Sequence, residues 1–270
     1  MIVTMNAVKT ILKTMACGWI FSALIPLAVS AAPIDDYFIA IKNDNDGALV
    51  TVLFRGFDVN TLDSEGRHGL HIAMVEGSFK VAKTLLDLSG TKVDTRSKSD
   101  ESPLMMAALK GHTEFAKRLI KRGADVNKTG WTPLHYAATS GHLAMIELLL
   151  DEDAYIDAES PNKTTPLMMA ALYGSEAATK LLLKEGADAG IKNDQGLTAA
   201  DFALQADRKE LSVELKKAAI AIKAQQKADA AKAAQSAPPA SVPPAQPAPV
   251  QSAPPQPLEQ PVTITPIETK

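Results

Sequence analysis

The feature that most constrains this chain is that its middle repeats itself. Thr132-Pro133-Leu134-His135-Tyr136-Ala137-Ala138 recurs 33 residues later as Thr165-Pro166-Leu167-Met168-Met169-Ala170-Ala171, and 30 residues earlier as Ser102-Pro103-Leu104-Met105-Met106-Ala107-Ala108. Fainter copies are Gly69-Leu70-His71-Ile72-Ala73 and Thr198-Ala199-Ala200-Asp201-Phe202-Ala203. A second marker, Gly123-Ala124-Asp125-Val126-Asn127, returns as Gly56-Phe57-Asp58-Val59-Asn60 and Gly186-Ala187-Asp188. A fixed period of this size means stacked units, none of which buries its apolar face alone. The spacing between markers also shows where regularity fails. From Val59 to Gly69, Val93 to Pro103, Ile156 to Pro166 and Ala189 to Ala199 the offset is 10, but from Val126 to Pro133 it is 7. Three residues are missing from one connection.

Each unit reads as two short helices and an extended turn. Thr132 and Thr165 are N-cap residues, and the proline after each takes the first helical position, where no donor is lost. Gly111, Gly141 and Gly174 are expected to stop the first helix. A second helix follows with apolar residues in helical spacing, as in Met145-Ile146-Glu147-Leu148-Leu149-Leu150, and ends at a glycine such as Gly123 or Gly186. Asp153 holds that glycine position in the fourth unit and is expected to be strained there.

These residues closely resemble the ankyrin repeat, whose pattern is Thr-Pro-Leu-His-x-Ala-Ala, Gly-His, a leucine-rich helix and Gly-Ala-Asp-Val-Asn. The resemblance covers roughly residues 34–224 and implies an all-α solenoid of about six repeats, near 34–64, 65–98, 99–128, 129–161, 162–194 and 195–224, joined by β-hairpin-like turns. The first and last units depart from the pattern and are expected to be polar end caps. Gly69 stands where proline is expected.

The ends of the chain have a different composition. Lys9 and Lys13 precede a charge-free run from Thr14 to Ile34, and Val29-Ser30-Ala31 puts small residues just after the apolar stretch. This pattern predicts a signal peptide over 1–31, cleavage after Ala31 and a periplasmic or secreted protein. The alternative is an uncleaved anchor, since 21 uncharged residues are long enough to span a bilayer. Cys17, the only cysteine, leaves with the signal, so the mature protein must be stable without disulfides. Of 28 basic and 31 acidic residues only Lys9 and Lys13 would be lost, leaving 26 against 31. A mildly acidic chain is a poor match for nucleic acid or an anionic membrane. Residues 225–270 begin as an Ala/Lys/Gln-rich extension of the last helix, expected to protrude and fray. They end in a proline-rich stretch, including Ala237-Pro238-Pro239-Ala240, expected to be disordered.

No constellation for chemistry stands out. His71 and His135 fill the Thr-Pro-Leu-His position and His112 and His142 the Gly-His position, so structural use is expected. His68 lacks neighbours at metal-ligand spacing. The serines carry no nucleophile motif, and the glycines fall at helix ends rather than in a phosphate loop. The expectation is therefore no enzyme, no cofactor and no metal. Met105, Met106, Met168, Met169, Ile72, Tyr136 and Phe202 are read as core. Modules of the ankyrin type bind proteins through the concave face and turn tips. This resemblance makes Arg67, Glu101, Trp131 and Thr164 at the tips, and Glu76, Lys110, Ser140 and Tyr173 on the first helices, the candidate partner-binding residues. The expected protein is a monomer that holds a protein partner in the cell envelope, as inhibitor, immunity protein or chaperone. The alternative is a spacer attached to the envelope through its proline-rich tail.

Overall fold

The structure is a computed structural model that describes residues 34–236. The expected signal peptide, with Cys17 and the expected cleavage site after Ala31, and the proline-rich end lie outside the described residues. Within them are twelve helices in six pairs. The first helices of the pairs are α1 (Ile34–Lys42), α3 (Gly69–Glu76), α5 (Pro103–Lys110), α7 (Pro133–Ser140), α9 (Pro166–Leu172) and α11 (Ala199–Gln205). Their partners are α2 (Asp46–Phe54), α4 (Phe79–Asp87), α6 (Thr113–Lys121), α8 (Leu143–Asp151), α10 (Glu176–Lys184) and α12 (Lys209–Ser236). The described residues form no strand. Among the turns between pairs, one closes with a single antiparallel bridge, Leu62 to His68. No described helix is long and apolar enough to cross a membrane.

Local chemistry starts and stops the helices. Ser102 Oγ accepts from Met105 N at 3.2 Å, with Pro103 in the first turn behind it. Thr165 repeats this arrangement with Met168 at 3.4 Å. At the far end Gly111 and Gly141 take left-handed φ of 73° and 69°, the conformation that lets the last carbonyls find donors. Gly174 works differently from the expectation. Helix α9 ends at Leu172 with Tyr173 as its C-cap, and Gly174 is glycine because a Cβ there would lie 2.2 Å from the Ala138 carbonyl of the preceding unit. Close approach, rather than left-handed backbone, fixes this residue.

The alanine pairs allow neighbouring first helices to pack closely, and Ala107, Ala108, Ala137, Ala138, Ala170 and Ala171 are all fully buried. Long polar side chains tie each unit to the next. Asn127 Nδ2 donates to the Asp153 carbonyl at 2.7 Å while its Oδ1 accepts from Tyr155 N at 2.8 Å. Asn60 does the same for Gly90 and Lys92. Arg122 reaches back to four carbonyls between Leu86 and Thr91 at 2.7–3.2 Å. These groups satisfy backbone acceptors that the short helices leave without partners. Gly69 replaces proline for a tertiary reason: a Cβ there would meet Tyr37 Oη at 2.6 Å and Ile41 at 2.9 Å. Tyr37 is fully buried and held by the Val59 carbonyl at 2.7 Å, so it cannot give way.

Both ends differ from polar caps. Helix α12 packs on the last unit over its first half, and its residues 223–232 are exposed. Leu211 and Leu215 are buried, Ile222 packs on the core, and Gln226 Nε2 donates to Asp188 Oδ2 at 3.3 Å. The first unit leaves Ile39, Val50 and Phe54 exposed, Phe54 at 93%.

Candidate functional site

The shortened connection after Asn127 leaves a recess of about 730 Å³ between the neighbouring turn tips. Ser99 and Asp100 line one side, Pro161 and Lys163 the other, and Lys128 and Trp131 lie between them. Lys128 belongs to the shortened connection read from the sequence, but its burial was not legible. Its side chain is 7% exposed, and its ammonium pairs with the more exposed Asp100 of the preceding tip. A buried ammonium without such a partner would be costly, so the pair braces the recess. Gly130 has φ +82°, which lets the short turn reverse.

Trp131 also lines a second, largely apolar recess of about 240 Å³ on the first-helix side, with Leu109, His135, Tyr136, Thr139 and Met169. The indole packs edge-on against the His135 ring, centroids 5.2 Å apart. It is therefore held by its own unit while forming the ridge between two recesses. Tyr136, read as core, is half-buried instead and donates from Oη to Glu101 Oε1 at 3.2 Å. Burial, with the Glu101 carboxylate beside it, pushes that phenol well above its usual range. Met169 likewise lines the recess, whereas Met105, Met106 and Met168 are buried. The same motif position is buried in Ile72, Met106 and Phe202, so the sequence carried no signal that separated Tyr136 and Met169 from them.

The other candidates divide by environment. Glu101 sits against Tyr136, and the exposed Tyr173 stands on the same first-helix side. Glu76, Lys110 and Ser140 are exposed at the ends of first helices. Arg67 is engaged in its own turn, with Nε 2.8 Å from Asp63 Oδ2. It shares a third recess of about 270 Å³ with Glu65, His71 and Glu101. Thr164 is the correction: it is 2% exposed, its N–H bonds Ser160 Oγ, and its carbonyl accepts from His135 Nε2 at 2.9 Å. It is a structural link between units rather than a contact residue.

The histidines are set in the same framework. His135 Nδ1 accepts from Thr132 N at 3.1 Å, so Nε2 carries the proton that bridges to the next turn. His142 bridges similarly to the Leu109 carbonyl at 3.1 Å, and His68 caps α3 by accepting from Leu70 N. Burial pulls His68 and His135 down to about 4, so both are neutral at pH 7. In the second unit His68 replaces the capping threonine, leaving His71 Nδ1 buried without a partner among the described residues. Among the described residues no three His, Cys, Asp or Glu side chains group so as to hold a metal ion.

Comparison with known proteins agrees with this geometry. Residues 83–160 match a model of ankyrin repeats in three copies, and residues 155–203 match a second model of ankyrin repeats in many copies. The human ankyrin repeat and SOCS box protein 16 is 33% identical over 162 residues, covering 56% of this chain and 36% of that protein. The Caenorhabditis elegans homolog of transient receptor potential cation channel subfamily A member 1 is 29% identical over 160 residues, covering 58% and 13%. The chain thus spans a minor part of these curated relatives. Among solved structures, it resembles a chain in the complex of the Bd0816 predatory endopeptidase from Bdellovibrio bacteriovorus with the immunity protein Bd3460. The TM-score is 0.60 and the identity 25%, covering 67% of this chain and 97% of that one. The repeated units between residues 83 and 203 thus match ankyrin repeats, and the described residues form a helical fold that resembles an ankyrin-repeat solenoid.

Proposed function

We propose that this protein is an exported, non-catalytic inhibitor of the immunity type, which engages an envelope enzyme through the two recesses that meet at Trp131. Ankyrin repeats are protein-interaction modules, and a rigid stack presents a large surface with little ordering cost on binding. One observation carries the finer reading. The chain matches nearly the whole of its solved neighbour, a chain from an endopeptidase–immunity protein complex, whereas it matches only minor parts of the curated relatives. An endopeptidase is therefore the first class of partner to test. Trp131 is the expected anchor: a half-buried tryptophan between recesses, with Tyr136 and Met169 beside it, is of the type whose truncation costs about 2 kcal/mol or more in binding.

The test is affinity purification of the tagged protein from envelopes of its source, followed by endopeptidase assays on the captured proteins with and without it. The expected result is a hydrolase whose activity falls on addition of the protein. Binding should weaken by about 30-fold with Trp131→Ala and also when three residues are restored after Lys128. Captured proteins that are not inhibited, or bind both variants like the parent, would sink this reading. Intact mass beginning at Ala32 checks the export step, and full-length protein in membranes would favour the anchor. Removal of the proline-rich end should leave inhibition unchanged; a spacer would lose its location instead.

A further inference from the structure

The second helices α2, α4, α6, α8 and α10 each have nine residues, so their positions compare directly. At the fifth and ninth positions four of them expose charged residues: Lys83 and Asp87, Lys117 and Lys121, Glu147 and Asp151, Lys180 and Lys184. In α2 the same two positions hold Val50 and Phe54, which are 51% and 93% exposed. Position in the fold does not require this, since the four neighbours solve the same position with charge. Single exposed apolar residues are ordinary, but here they are part of a patterned face. Asp46, Gly47, Val50, Thr51, Phe54 and Arg55 are all exposed on one side of α2 and just past its end.

That face is complementary to itself when reversed. Pairing α2 antiparallel with an identical helix, so that the two residue numbers sum to 101, sets Asp46 opposite Arg55, Gly47 opposite Phe54 and Val50 opposite Thr51. The largest side chain meets the smallest, and each end brings a carboxylate to a guanidinium. Among the described residues, a Cβ at Gly47 would meet nothing closer than Asn45 Oδ1 at 3.6 Å, so the space above it is open to a partner. Neither Asp46 nor Arg55 forms a side-chain ion pair among the described residues. Helices packed at 8–10 Å need a small residue under a large one at such a crossing.

We propose that this face of α2 is a self-association surface on which a second copy of the chain packs antiparallel about a two-fold axis. A two-fold contact uses the same patch on both copies, which is why size and charge must reverse about its centre. Two nine-residue helices offer an interface below the standard size, so the association is weak and concentration-dependent. It replaces the expected monomer with a reversible dimer. The surface is separate from the Trp131 recesses, so partner inhibition and self-association stand or fall independently.

Sedimentation velocity on the protein isolated from cells expressing the full chain, from about 10 µM to 1 mM, tests it. The parent should shift from monomer to dimer across this range. Phe54→Glu, which gives α2 a charge where its neighbours have one, should keep the native circular dichroism and raise the dissociation constant by about 100-fold or more. Arg55→Asp should weaken the dimer, and Asp46→Arg added to Arg55→Asp should restore it, because only the antiparallel register places these two residues together. A parent that stays monomeric throughout, a dimer indifferent to Phe54→Glu, or no recovery in the charge-reversed pair would each overturn the proposal. Weaker binding of the captured envelope protein by Phe54→Glu, with a monomeric parent, would assign the face to that partner instead.

Discussion

Asp153 has φ +60°, a backbone region in which an L side chain crowds its own carbonyl. Its N–H and C=O are engaged by Leu150 and Asn127, bonds that glycine would keep. Asp153→Gly is therefore expected to stabilise the array by a few tenths to about 1 kcal/mol, read as a higher midpoint in chemical denaturation. The buried histidines set a pH dependence. His68 and His135 have folded values of about 4 against 6.5 unfolded. A depressed value means the unfolded chain binds the proton first, so stability is complete above pH 6.5 and declines as pH falls toward about 4. The loss is on the order of 1–3 kcal/mol per histidine, and denaturation midpoints at pH 7.5, 5.5 and 4.5 should show it. A flat profile would mean that charged His135 is accommodated in the stack. The Thr-Pro-Leu-His motif made the role of His135 legible. His71 was not, because its unpartnered Nδ1 follows from having a histidine instead of threonine at position 68.

At the scale of the element, helix ends separate local causes from distant ones. Gly111 and Gly141 could be read from sequence, since left-handed caps are a property of the chain within one turn. The reason for Gly174 could not, because the atom that excludes a side chain is the carbonyl of Ala138, a full unit away. Gly174→Ala should then cost about 1–3 kcal/mol or more by forcing two first helices apart. Urea denaturation measures it, and a neutral or stabilising result would show that the units separate freely at that point. The short turn was legible as a three-residue deficit, and its recess follows from the longer tips on either side. The floor of that recess was not legible, since Lys128 carries no local sign that its ammonium is buried against Asp100.

At the scale of the molecule, stability is a sum over neighbouring units, and the end helices decide whether the outer units stay folded. Truncation after Arg208 removes Leu211, Leu215 and Ile222 from the last unit, and should cost at least about 3 kcal/mol from the buried leucines alone. Hydrogen exchange should then show faster opening in α11 and α9 than in α5; uniform protection would contradict a stack that frays from its end. The sequence by itself determined the helix pair, its period, its caps and the site of the missing residues. Those depend on hydrogen bonds and apolar spacing within one repeat, which the chain prints several times over. Only the tertiary structure decided that Tyr136 and Met169 line a recess while Thr164 is buried, that Gly69 and Gly174 answer to atoms of other units, and that no described residue covers the outer face of α2. Each of these depends on which surface a neighbouring unit covers, and the residues doing the covering lie about thirty positions away, beyond the reach of any local pattern.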